Sequence, residues 1–115
     1  MFWYTTETKE KLFDDPEEVL KRLGENTAVV CYNDEVAFGL VKCLLSAGRR
    51  VPEDVAVVSF DNSNLSWISQ VPITSLSYED RNIGRIAAQK LVDILDGRDV
   101  SSEVLPWTFI QKESS

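Results

Sequence analysis

Two short polar pairs stand where binding chemistry on a small polar molecule would need them. Asn33-Asp34 follows the apolar run Ala28-Val29-Val30-Cys31-Tyr32, and Asp61-Asn62 follows Val55-Ala56-Val57-Val58-Ser59-Phe60. A carboxylate accepts several hydrogen bonds and an amide both donates and accepts, so these groups suit the hydroxyls of a polyol. The same residue types also cap helices and form Asx turns at strand ends, a purely structural use that competes at every one of these positions. Asp34 in particular is expected to cap a helix or hold a loop. An enzyme using Asp34 and Asp61 as an acid/base pair is the weakest reading. The chain has no His, no Gly-x-Ser-x-Gly and no Gly-rich phosphate loop to support catalysis.

Near-continuous apolar runs of this kind mark strands buried on both faces of a parallel sheet, and ligands of open α/β sheets bind at the carboxyl edge. The surrounding sequence supplies helices to cover such a sheet. Asp15 caps a first helix with Pro16 at its first position, acidic Glu17 and Glu18 at its start, and Lys21, Arg22 and Gly24 at its end. Asn33 or Asp34 caps a second, whose stripe of Ala37, Leu40, Val41 and Leu44 predicts a buried face. Ser77 with Asp80 opens a third, with Ile83, Ile86, Ala87, Leu91 and Ile94 facing inward and Gly97 closing it. Phe2 to Thr6 reads as a short strand, and Asn62 to Pro72 as a structured loop or short helix. Glu103 to Ile110 reads as a last strand that Pro106, lacking a ladder donor, demotes to an edge or a bulge. Ser114-Ser115 reads as a frayed tail. The expected fold class is α/β, a three-layer open parallel sheet flanked by helices.

Composition sets the boundaries of function. The 115 residues are 43% hydrophobic and 27% charged, enough for one compact domain with a core. A net charge of -7 argues against this segment holding DNA or an anionic membrane by itself. No apolar run approaches the roughly 20 residues that span a bilayer. Cys31 and Cys43 read as free, buried thiols in a reducing cytoplasm. With no His and no Cys-x-x-Cys, neither a metal nor a cofactor is expected.

Four spaced elements in order resemble one family. They are Asn33-Asp34-Glu35-Val36-Ala37-Phe38-Gly39; Gly48 followed by Val51-Pro52-Glu53-Asp54-Val55; Val57-Val58-Ser59-Phe60-Asp61; and Pro72-Ile73-Thr74-Ser75 ahead of a helix with Gly84 and Ala87. This pattern, over about Thr27 to Gly97, is similar to the effector-binding domain of lac/gal repressors, and within them to the arabinose repressors. The family fold is that of type I periplasmic sugar-binding proteins, of which only the C-terminal half is matched. The resemblance implies that residues 1–115 form a C-terminal subdomain, with an N-terminal subdomain and a DNA-binding domain outside the chain. Two positions depart from the pattern. Ser59 replaces the usual Gly, which is expected to narrow the room near the sheet edge, and Asn62 replaces a common Asp.

The resemblance also implies roles. Asp61 would hydrogen-bond two sugar hydroxyls, Asn33 a further one, and Phe13 would supply an aromatic face against the ring. Tyr32 and Phe60 are expected to point into the core instead. Phe38, Leu65, Trp67 and Ile68 would lie at a homodimer interface between sensor domains. The implied function is sensing a small sugar such as arabinose in the cytoplasm, controlling operator DNA binding by a separate domain. A transport-associated sugar-binding protein of the same fold is the alternative.

Overall fold

The computed structural model describes residues 16–25, 28–78 and 83–115. In chain order the elements are α1 (Pro16–Leu23), β1 (Ala28–Val30), α2 (Asp34–Ser46), β2 (Ala56–Phe60), α3 (Asn64–Ile68), β3 (Thr74–Ser77), α4 (Ile83–Leu95) and β4 (Thr108–Ile110). The predicted strand at Phe2 to Thr6, the Asp15 cap, Phe13 and the Asp80 half of the capping box lie outside the described residues.

The four strands form one sheet in the order β1-β2-β3-β4. The first three run parallel, with Val30 beside Val58 and Ser59 beside Ser75. The fourth is antiparallel, pairing Leu76 with Phe109, so the expected all-parallel sheet is a mixed one. The cause lies in the connection. Residues 96–107 carry the chain back from the end of α4 to the carboxyl edge of β3, where β4 must start in the opposite sense. Pro106 precedes it, as an edge strand allows.

α1 and α2 cover one face of the sheet. Val19 and Leu23 of α1, Val36, Ala37, Leu40, Val41 and Leu44 of α2, and Val55, Val57 and Ile73 from the sheet layer form a single buried cluster. The predicted α2 stripe is therefore the core, each full burial of a Leu or Val contributing about 2 kcal/mol. Both cysteines are free and buried. Burial, aided by the nearby Asp34 carboxylate, pushes the Cys31 thiol up to about 12, so it stays protonated and inert.

Period two along the first strand corrects one expectation. Cys31 turns inward, so Tyr32 must turn outward, and it is 57% exposed rather than in the core. Two further differences concern the second half. A central strand, β3, occupies Thr74–Ser77, where no strand was expected, because Thr-Ser-Leu-Ser carries no apolar run. α4 begins after it, at Ile83, and buries none of its residues; Ile83, Leu91 and Ile94 are all about half exposed. Its apolar stripe packs closely against no other described element. The sheet face opposite α2 is also open, with Val30 and Phe109 largely exposed.

The expected frayed tail is instead built into the sheet. Ser114 is fully buried, its amide donating to the Pro72 carbonyl at 3.0 Å and its carbonyl accepting from the Val57 amide at 2.7 Å. Its Oγ accepts from the Thr74 amide at 2.8 Å and donates to the Val57 carbonyl. β2 and β3 part at their amino ends, and buried backbone groups there need partners that the tail supplies.

Candidate functional site

The polar pairs read from the sequence meet at the carboxyl edge of β1 and β2. Asn33, extended at φ -156°, is the N-cap of α2, and its Oδ1 accepts the Val36 amide at 3.0 Å. That bond uses the oxygen and leaves the NH2 donor of the same amide outside the cap. The capping and binding uses of Asn33 are thus compatible.

Asp34 lies beneath the rim rather than on it, only 1% exposed. Its carboxylate accepts from the hydroxyls of Ser59 and Ser75, the latter at 2.9 Å, and from the Ser63 amide at 2.5 Å. One buried side chain thereby fastens α2 to β2, to β3 and to the start of α3. This is the holding function expected of it, and it also explains Ser59. Ser59 Oγ is buried and donates to Asp34, so this side chain takes part in the network beneath the rim.

Asp61 stands at the rim itself, exposed, with its amide donating to the Leu76 carbonyl at 2.9 Å. Partial burial, with Asp34 nearby, holds its carboxyl above the ordinary carboxylate range. Asp61 and Asn62 both have positive φ, 98° and 50°. Such conformations cost of order 1–3 kcal/mol each and persist only where the surroundings impose them. Here the constraints are visible. The Asn62 amide donates to Ser75 Oγ at 3.0 Å, and its Oδ1 accepts from Lys112 Nζ at 2.7 Å.

Aromatic surface from residues that were not foreseen lies beside the rim. Trp107, 45% exposed, stacks on Tyr78 with ring centroids 3.8 Å apart and takes the edge of Phe60 at 5.3 Å. Phe60 is therefore half-buried against Trp107 on the open face and does not enter the core. Trp107, Tyr78, Ser75 and Lys112 were not foreseen as part of this region. Only the aromatic character of Trp107 and Tyr78 could have signalled it, since Ser75 and Lys112 look like ordinary surface residues in one dimension.

Of the four residues expected at a dimer interface, Trp67 and Ile68 at the end of α3 are 55% and 69% exposed. Phe38 is instead partly buried against the core, and Leu65 is also only partly exposed. Among the described residues no group of His, Cys, Asp and Glu could hold a metal, and no helix is long and apolar enough to cross a membrane.

An open α/β sheet with a built polar rim at its carboxyl edge defines a small-molecule-binding domain. The chain belongs to the periplasmic-binding-protein-like domain family, whose model matches residues 3–115, and it corresponds to the effector-binding domain of lac/gal repressors. It is 34% identical over 100 residues to the arabinose metabolism transcriptional repressor of Geobacillus stearothermophilus, covering 84% of this chain and 28% of that protein. It is 31% identical over 88 residues to the transcriptional repressor PurR of Vibrio atlanticus, covering 76% and 26% respectively. A solved complex of the transcriptional regulator CelR with cellobiose superposes with a TM-score of 0.80 at 31% identity, over 93% of this chain and 33% of that one. The chain thus spans little more than a quarter of the curated relatives it matches.

Proposed function

We propose that this chain is the C-terminal half of a sugar-sensing cleft in a transcriptional repressor, working with an N-terminal subdomain and a DNA-binding domain supplied by other segments. Asp61 accepts from sugar hydroxyls, Asn33 donates to one, and Phe13 or the exposed Trp107 offers an aromatic face to the ring. The sugar closes the two halves on each other, and that reorientation changes the affinity of the separate domain for operator DNA in the cytoplasm. The observation that carries this reading is Asp61. It is an exposed carboxylate in a costly backbone conformation, held there by bonds from β3 and by the residue next to it. Such strain at a rim suits a residue selected for where its side chain points. Binding without catalysis is supported by relatives named as transcriptional repressors. A sugar is favoured because one relative is named for arabinose metabolism and one solved relative holds cellobiose. Arabinose itself is the first candidate.

Titrating the intact repressor with arabinose, cellobiose, other pentoses and hexoses, and nucleobases, read by amide NMR, tests this directly. At least one sugar should saturate and shift Asn33 and Asp61 with their neighbours. Saturation by a nucleobase alone would replace the sugar assignment, and shifts that avoid Asp61 would place the site elsewhere.

The repressor also pairs with a second copy through Trp67 and Ile68, flanked by Leu65 and Phe38. An exposed Trp next to an exposed Ile is the composition of an interface centre. In sedimentation, Trp67→Asp and Ile68→Asp should each raise the monomer fraction of the intact protein. Ile68→Asp reports on association alone, whereas Trp67→Asp also removes the ring beside the Lys112 ammonium and Phe38→Asp would also disturb the core it packs on. Full dimerisation by both variants would move the interface to another face.

A further inference from the structure

The ammonium of Lys112 sits where three pieces of chain meet. Nζ donates to Asn62 Oδ1 at 2.7 Å, to Ser66 Oγ at 2.9 Å and to the Ile73 carbonyl at 2.8 Å. All three of its protons are thereby used. The same nitrogen lies 4.3 Å from the centroid of the Trp67 ring, within cation–π range. Its backbone is equally well anchored. The Lys112 amide donates to Thr74 Oγ1 at 2.9 Å, that hydroxyl faces the Lys112 carbonyl at 3.3 Å, and two residues on Ser114 is locked between β2 and β3. The charge therefore arrives on a segment bonded into the sheet. Burial draws the amine below its ordinary value, with Asp34 opposing the shift.

The partners of this ammonium do different things. Asn62 is the rim residue next to Asp61, held at φ 50°. Ser66 is fully buried within α3, and its backbone carbonyl accepts from the Ile73 amide at 2.8 Å. Trp67 presents the exposed face of the same helix. A ligand hydroxyl that displaces or rotates Asn62 Oδ1 must be answered by the group that also holds Ser66 and faces Trp67.

We propose that Lys112 is a positioning residue that transmits changes at the rim, through Asn62, to the Trp67 end of α3. The biological use of this link rests on the reading of the rim as the effector site, but the link itself is testable with no effector present. The probe is the Trp67 indole N–H resonance of the ligand-free chain, assigned through Trp67→Phe. Asn62→Ala removes the rim acceptor and should shift that resonance by several linewidths. In the Lys112→Met background the same Asn62→Ala change should leave it in place, and in the Lys112→Arg background the response should return. Equal shifts with and without the lysine would overturn the proposal, because the backbone from Asn62 to Trp67, or the direct contact of Ser66 Oγ with Asn62 Oδ1 at 3.5 Å, would then carry the effect. Should Lys112→Met fail to give a folded spectrum, Lys112→Gln, which lacks the charge, takes its place with the same two outcomes. A sugar titration that bypasses Asp61 would sink the effector reading while leaving this ligand-free comparison to stand or fall by itself.

Discussion

Asp34→Ala is expected to lower the stability of the fold by about 3 kcal/mol, a large share of what a domain of this size possesses. The substitution removes the acceptor for the Ser59 and Ser75 hydroxyls and for the Ser63 amide, all in a buried setting. Each buried polar group left unpaired costs roughly 1–3 kcal/mol. The sum is moderated because Ser59 Oγ also lies 3.3 Å from Ser75 Oγ, so the two hydroxyls retain each other as partners. The Ser63 amide has no such substitute. Asp34→Asn keeps one acceptor oxygen and should lose about half as much. Urea unfolding of the three proteins measures this order, and a loss below about 1 kcal/mol for the alanine variant would mean that the network does not hold the rim together.

Asp61→Ala is the complementary case, with its effect on binding instead of stability. In the intact repressor it should weaken sugar binding by about 2 kcal/mol, roughly 30-fold, as expected for loss of charge-assisted hydrogen bonds. Unchanged affinity by calorimetry would remove Asp61 from the site. Its pH dependence follows from the raised carboxyl. The fold favours the protonated form relative to the unfolded chain, so Asp61 contributes stability at acid pH that is lost as pH rises through its folded pKa. Asp61→Asn should therefore leave stability at neutral pH unchanged or slightly higher. Sugar acceptance needs the ionised form, so affinity should decline on acidification sooner than for an ordinary carboxylate near 3.9. In Asp61→Asn that decline should vanish along with most of the affinity. A parent whose affinity is flat down to about pH 4 would contradict the carboxylate's part in binding.

Much of this was legible in one dimension. The α2 stripe of Ala37, Leu40, Val41 and Leu44 became the core because helical periodicity reports directly on which face is covered. The runs ending at Asn33 and Asp61 became the carboxyl edge of β1 and β2 because apolar strands announce themselves by composition. The Asn33 cap followed from a local rule linking a side chain to an amide three residues on. In each case the deciding interaction lies within a few residues or repeats at a fixed period.

What the tertiary structure alone decided has no such local signature. β3 is central, yet Thr74, Ser75 and Ser77 are polar and buried; the Ser75 hydroxyl is taken up by Asp34 and that of Thr74 by the returning tail. Such a segment reads as a loop until its partners are known. Asp34 and Ser75 are 41 residues apart in sequence, and Lys112 and Asn62 are 50 apart. The sense of β4 depended on where the connection after α4 delivers the chain, which residue types do not encode. Periodicity marks the surface a residue must bury. Which distant hydroxyl, amide or ammonium satisfies a buried polar group depends on where folding brings the chain together, so Asp34 and Lys112 acquired their functions only in three dimensions.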